Sequence, residues 1–487
     1  MRAAVLGLIA CVHSVLALSL QKRDVPAVLE LPLQRRAGPP PLQKRSSVVN
    51  VEIVNQAYMY YSLNLSLGTP EQHFQFSLDT GSSDLWVNVA NSSECSAKGD
   101  PCAAYGVYNA SASSTYEALD TSFNITYADG TNAYGPYAAD KLVIGDTTIE
   151  KMQFAIAEQS TDDQGILGVG YEISTYQAEH DGKTYPNFPQ ALVNSGAIKS
   201  AAYSLYLNAL NASSGSILFG GVNKAKYTGE LKTVPIVPVY DNYYSLAIAL
   251  TEVSVEKAGS KTTSFTTDLP LAVSLDCGSV FTALPEKLVD PIYKVLDAAY
   301  DSSDGVAYID CSAAEKDYNI TYSFSGATVT VGISQLVLPI AEPDFSKGSC
   351  IFGLVPSEPG VNLMGDTFLR SAYVVYDMGN NEISLANANF APGDDDDILE
   401  IGTGTAAVPG ATLVPSAVSS ATGNGVAATT VSAVTITGTV EPTETSDSGS
   451  SGSSGSATSA SSKGMGVIPT AHPGLLPALA GVVFLAL

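Results

Sequence analysis

Asp79 and Asp276 sit in the same short pattern. Phe76-Ser77-Leu78-Asp79-Thr80-Gly81-Ser82 and Val273-Ser274-Leu275-Asp276-Cys277-Gly278-Ser279 each run an apolar strand into Asp-x-Gly-Ser. Ile166-Leu167-Gly168 answers Leu363-Met364-Gly365 in the same way, and both glycines (168 from 79, 365 from 276) fall 89 residues beyond their aspartate. Two unrelated features recurring at one spacing point to a duplicated unit, each copy presenting one Asp-x-Gly turn. If the turns meet, two carboxylates share a site. Like charges so close cannot both ionise cheaply, so one pKa rises and the pair holds a single proton in acid. One carboxylate can then take a proton from a bound water while the other donates to a carbonyl, and the pair titrates as a unit. That chemistry calls for no metal and no cofactor. Gly81 and Gly278 let the backbone come close and present amides, and Ser82 and Ser279 can donate to the outer carboxylate oxygens.

The elements that must hold such a pair are strands. Between residues 49 and 389 the pattern is period two or short apolar runs broken by Gly, Asn, Asp and Pro, as in Tyr58-Met59-Tyr60-Tyr61-Ser62-Leu63-Asn64-Leu65. Helical candidates are few: residues 190–195 and 285–300. The expected fold is all-β and bilobal, with lobes over residues 46–235 and 236–392 and a cleft between them. Ile125-Thr126-Tyr127-Ala128-Asp129-Gly130-Thr131 reads as a hairpin around an Asp-Gly turn. Such a hairpin can cover the carboxylates, exclude water and clamp an extended chain. Tyr127 and Trp86 each join an apolar body to a polar handle; as plain packing residues they would be a cross-strand aromatic and a core tryptophan.

The two ends carry processing signals. Residues 1–17 combine Arg2, an apolar stretch and a small residue at Ala17, the form of a signal peptide. Residues 18–45 contain Lys22-Arg23, Arg35-Arg36 and Lys44-Arg45, and read as a pro-segment cut after Arg45 by a Kex2-like processing protease. Residues 393–464 become rich in Ser, Thr and Gly, a stalk composition. Residues 465–487 end in an apolar tail, with small residues Ser461, Ser462 and Gly464 before it, the arrangement of a GPI-attachment signal. The tail is shorter than the roughly 20 residues of a membrane span.

The chain of 487 residues carries 48 acidic and 23 basic side chains, a formal charge of −25, which excludes a phosphate-neutralising nucleic-acid binder. Sequons begin at Asn64, Asn91, Asn109, Asn124, Asn211 and Asn319, candidate N-glycosylation sites on a secretory route. Cys11 leaves with the signal peptide. Cys95 with Cys102, and Cys311 with Cys350, are the expected disulfides, and Cys277 is left unpaired beside Asp276.

These motifs resemble the pepsin family of aspartic peptidases, and within it the fungal GPI-anchored, yapsin-like members. Asp79-Thr80-Gly81-Ser82-Ser83-Asp84-Leu85-Trp86-Val87 is similar to the first active-site signature, and Asp276-Cys277-Gly278-Ser279 stands at the second. Tyr127-Ala128-Asp129-Gly130-Thr131 resembles the flap, with Trp86 as partner of the flap tyrosine. Asp163-Gln164-Gly165-Ile166-Leu167-Gly168 and Leu363-Met364-Gly365-Asp366-Thr367-Phe368-Leu369-Arg370 resemble the runs that brace the active-site loops. The resemblance, over about residues 58–388, implies a monomeric, acid-favoured endopeptidase acting on extended polypeptides, anchored at the outer face of the plasma membrane or in the wall. Two departures stand out. The family has Ser or Thr where this chain has Cys277, and a thiol donates weakly, so a looser second loop is expected. The pro-segment is also short for blocking a cleft. Asp129 could meet a basic substrate side chain or only serve its turn. Two rival readings remain: a pepsin-like wall or binding protein with a decayed site, and a two-carboxylate glycosidase, for which a repeated Asp-x-Gly-Ser is not the usual signature.

Overall fold

The computed structural model describes residues 26–35, 60–212, 214–238, 242–339, 349–393 and 395–423. Strands dominate because apolar and polar residues alternate between flanking turns. Tyr318–Phe324 and Ala327–Gly332 bury every second side chain and pair Phe324 with Ala327. Ser325 and Gly326 between them both take positive φ, 57° and 94°, the two-residue hairpin turn whose twist suits the strands.

The largest sheet joins the two halves of the chain. Its middle runs through Tyr227–Pro235, Glu382–Ala388, Ala372–Asp377, Ala202–Tyr206, Ser214–Phe219, Leu29–Arg35, Tyr61–Leu67 and Gln72–Asp79 in that spatial order. The second half adds a five-stranded sheet, which contains Leu271–Leu275 and Leu363–Met364, and two four-stranded sheets. Helices are short: Tyr176–Asp181, Phe188–Asn194, Glu286–Leu296 and Asp366–Leu369. The helix expected over 285–300 stops at Leu296, where Asp297 turns left-handed (φ 60°), and Ala299–Asp301 is a strand. The six-residue helix at Tyr176 was not anticipated from the sequence, being too short to show a period.

The duplication is visible in the pairing. Gln72–Asp79 runs parallel to Ile166–Gly168, with Asp79 opposite Gly168, and Leu271–Leu275 runs parallel to Leu363–Met364. Each short strand also pairs antiparallel with the strand that follows its aspartate loop, Leu85–Asn88 or Thr282–Leu284. The glycines at the shared spacing are required by close approach. A Cβ on Gly168 would lie 2.6 Å from the Ser83 amide nitrogen, and one on Gly365 would lie 2.5 Å from the Ser279 carbonyl oxygen.

Two segments outside the expected lobes are built into this body. Leu29–Arg35, within the stretch expected to be a pro-segment, lies antiparallel to Ser214–Phe219 and meets Tyr61–Leu67 at its end. Leu31 and Leu33 are buried in the core, and Glu30 pairs with Lys226, whose Nζ also reaches Ser216 Oγ at 2.7 Å. The strand thus fills a slot in the central sheet. At the other end, residues 395–423 form a strap where the sequence suggests the start of a stalk. Ile398–Glu400 pairs with Gly221–Asn223, Ala411–Leu413 runs parallel to Leu231–Thr233, and Thr422 bridges to Leu271. Ile401, Val408 and Ala421 are buried, which is why this piece packs despite its low-complexity surroundings.

Candidate active site

Each aspartate ends a buried strand and is held by its own loop. The inner oxygen of Asp79 accepts the Gly81 amide at 2.7 Å, and its outer oxygen accepts the Ser82 hydroxyl. For Asp276 the Gly278 amide stands at 2.9 Å and the Ser279 hydroxyl at 2.7 Å. The loops face one another: a Cβ placed on Gly278 would sit 2.5 Å from Asp79 Oδ1 and 3.2 Å from Asp276 Oδ1. Glycine at 278 is therefore a condition for bringing the carboxyls together. The two carboxyls face each other across Gly278, and burial pushes both above the ordinary aspartate value. Asp276 is raised further by the neighbouring charge of Asp79. This is the electrostatic state of a pair that shares one proton.

Residues 80 and 277 reach across between the loops. The Thr80 hydroxyl donates to the Leu275 carbonyl at 2.9 Å and accepts the Cys277 amide at 3.0 Å. The Cys277 thiol, buried and outside any disulfide, approaches the Leu78 carbonyl at 3.5 Å.

Above the first loop, Glu117–Thr126 and Asn132–Ile144 form the hairpin, closed by Tyr127 N–H to the Thr131 carbonyl at 2.8 Å, with Gly130 at φ 87°. Trp86 is fully buried and donates its indole N–H to the Tyr127 hydroxyl at 2.7 Å. Burial, then the charge of Asp79, pushes the Tyr127 phenol far up, which puts the hairpin base within electrostatic reach of the dyad. Asp129 accepts the amide of Thr131 at 2.8 Å and its hydroxyl at 2.7 Å. These bonds belong to its own turn, one of the two roles open to it from the sequence.

A buried group not anticipated from the sequence lies beside Trp86. Asp84 accepts the Tyr137 hydroxyl at 2.7 Å, the Tyr185 hydroxyl, and the Tyr176 amide at 2.7 Å. Burial raises its carboxyl above the usual value despite these donors. Glu179, on the short helix, is pushed up to about 7 by burial and by the charge of Asp84. The signal was present in part, since Asp84 belongs to the run Ser82-Ser83-Asp84-Leu85-Trp86, but its tyrosine partners come from distant segments.

The remaining sites are peripheral. Cys95–Cys102 and Cys311–Cys350 are bonded. Asn64, Asn91, Asn109, Asn124 and Asn211 are exposed and Asn319 is half-buried, so all six sequons reach the surface. The expected signal peptide, the expected cleavage point after Arg45, and the attachment candidates Ser461, Ser462 and Gly464 lie outside the described residues.

Comparison with known proteins adds four findings. Residues 60–388 match the family model of the eukaryotic aspartyl proteases. A "Probable aspartic-type endopeptidase opsB" of Aspergillus oryzae is 47% identical over 430 residues, covering 86% of this chain and 88% of that protein. The "Aspartic proteinase yapsin-3" of Saccharomyces cerevisiae is 36% identical over 392 residues, covering 77% and 74%. Among solved structures, the aspartic proteinase from Irpex lacteus is similar at a TM-score of 0.56 and 21% identity, covering 74% of this chain and 98% of that one. At that identity the likeness bears on the fold alone.

Proposed function

The chain belongs to the eukaryotic aspartyl protease family, and on that premise we propose that Asp79 and Asp276 are the pair through which it hydrolyses internal peptide bonds. The observation that carries this reading is the face-to-face placement of two buried, hydrogen-bonded carboxyls whose inner oxygens converge at Gly278. A water held between them loses a proton to the ionised carboxylate as its oxygen attacks the scissile carbonyl carbon. The protonated partner donates to the carbonyl oxygen, giving a neutral gem-diol. Proton return to the nitrogen then lets the C–N bond break. The amides of Gly81 and Gly278 and the hydroxyls of Ser82 and Ser279 fix the oxygens, so little reorganisation accompanies the charge shift. Tyr127 and Trp86 hold the flap over an extended substrate.

Acid is the working condition in this reading. Both carboxyls are raised above 3.8, so the pair keeps its single proton at a pH where an isolated aspartate has lost it. Activity falls on the alkaline side as that proton leaves. The chain is further read as secreted, processed after Arg45 by a Kex2-like protease, glycosylated at its surface sequons, and anchored by GPI near Ser461, Ser462 or Gly464 to the plasma membrane or wall. A processed, catalytically weak wall protein is the second reading, resting on Cys277, whose thiol is a weaker donor than a hydroxyl at the same place.

The test is casein cleavage between about pH 3 and 6 by the full chain expressed through the secretory route, beside Asp79→Asn and Asp276→Asn. Each variant is expected to lose on the order of 10³–10⁴-fold in kcat. Wild-type turnover in either variant ends the dyad assignment, and an inert wild type favours the second reading.

A further inference from the structure

Beside the peptide that leads into Asp276, two tyrosines from adjacent strands lie face to face. Tyr376 of Ala372–Asp377 is in register with Tyr203 of Ala202–Tyr206, and their rings stack at 4.9 Å with both residues fully buried. The Tyr376 hydroxyl donates to the Leu275 carbonyl at 3.2 Å. That oxygen belongs to the peptide unit whose nitrogen is Asp276, and it is the acceptor already used by Thr80 at 2.9 Å. The Asp276 amide in turn donates to the Met364 carbonyl at 3.1 Å. The peptide plane that aims Asp276 is thus held from the first lobe, from the neighbouring strand and from the sheet below.

A buried phenol needs an acceptor, and any carbonyl would satisfy it. What distinguishes Tyr376 is that its acceptor immediately precedes the second aspartate, in the loop where residue 277 offers a thiol in place of a hydroxyl. Reacting groups must be held to within a fraction of an ångström for general acid–base transfer. A weak donor at 277 raises the value of a brace from the neighbouring strand.

We propose that Tyr376 is a positioning residue for Asp276: its phenol, under the Leu275 carbonyl, holds the second aspartate loop in the geometry that the thiol of Cys277 only weakly enforces. The proposal rests on the reading of Asp79 and Asp276 as the catalytic pair. It makes Tyr376 and residue 277 energetically coupled although they belong to different elements, and Tyr376 dispensable once a hydroxyl stands at 277.

A double-mutant cycle on the full-length secreted enzyme tests this. Tyr376→Phe is expected to lower kcat about tenfold with KM changed less than about twofold. In a Cys277→Thr background the same substitution is expected to lower kcat less than about threefold. Tyr373→Phe is the control for simple loss of a buried phenol. It lies on the same strand, donates to Ser204 Oγ at 2.8 Å and packs in a separate cluster on the other side of the sheet, so it should lower thermal stability and leave kcat alone. Equal kcat losses for Tyr376→Phe in both backgrounds, or none in either, overturn the proposal. If Tyr376→Phe does not fold, the Cys277→Thr/Tyr376→Phe enzyme must fold and turn over, and its failure likewise overturns it. Asp276→Asn in the same series separates the two claims: residual wild-type cleavage there sinks the dyad, whereas a dead Asp276→Asn with a fully active Tyr376→Phe sinks the brace alone.

Discussion

Thr80 and Cys277 occupy equivalent places after the two aspartates and do different amounts of work. Thr80 donates to one backbone group of the opposite loop and accepts from another, at 2.9 and 3.0 Å. Cys277 makes one contact from its side chain, its thiol donating to the Leu78 carbonyl at 3.5 Å, an ordinary distance for sulfur and a weak bond. Around the aspartates themselves the loops match, glycine amide on one oxygen and serine hydroxyl on the other. Charge chemistry demands the same donors at each carboxylate. The load between the lobes can be shared unevenly, so long as some other group takes it up.

The most severe way to break this comparison is Thr80→Val, which keeps the shape and removes the shared hydroxyl. It leaves the Cys277 amide unpaired in a buried site, and a loss of about 4 kcal/mol in urea unfolding is expected from two bonds and one orphaned donor. A loss no larger than that of Cys277→Ala would mean that the loops are braced equally. Next comes the strap, which reaches the second lobe from outside the loops. Ile401→Ala opens a cavity at a fully buried position and is expected to cost about 3 kcal/mol. A negligible change would show that residues 395–423 are not part of the folded unit. Cys277→Ser sharpens the contrast with a smaller effect. A hydroxyl able to reach the Leu78 carbonyl should stabilise by about 1 kcal/mol, read as a raised midpoint with an unchanged slope.

The comparison also has a pH side. Asp79, Asp276 and Asp84 are raised and Glu179 is pushed up to about 7, so the native state holds protons that the unfolded chain releases. Stability from these groups is therefore greatest below their unfolded values and declines as pH rises through the folded ones. Glu179 acts between 4.5 and about 7. Glu179→Gln should melt with wild type near pH 4 and above it near pH 7. Melting curves that stay superimposed at both pH values would remove Glu179 from this account. Asp140 has the opposite sign: held low by the Thr115 and Tyr108 hydroxyls against its burial, it contributes above 3.8 and weakens in stronger acid.

Much of the site is legible in the sequence because its demands are local. A glycine two residues past each aspartate, a serine three past, and a second glycine at a fixed interval are conditions that a backbone imposes on neighbours. The pairing of Trp86 with Tyr127 is nearly as legible, since both residues have a handle and a body. The set of donors on Asp84 is not, because the Tyr137 and Tyr185 phenols and the Tyr176 amide lie far along the chain and meet it only after folding. Tyr376 is hidden for the same reason: within its strand it is one more apolar-facing tyrosine. The strap escapes the sequence because its strands are three residues long and their apolar residues show no period. Leu29–Arg35 has the alternation, but its Pro32 disguises it; Pro sits in strands where its missing N–H is not needed.

The strap also moves the edge of the folded body well past the last catalytic strand, Glu382–Ala388. Thr422 bridges to Leu271, and Ile401, Val408 and Ala421 are buried, so cutting the chain soon after that strand would lay bare the apolar faces these residues cover. A cut after residue 423 spares them, and the two truncations should differ in melting temperature although neither touches the cleft.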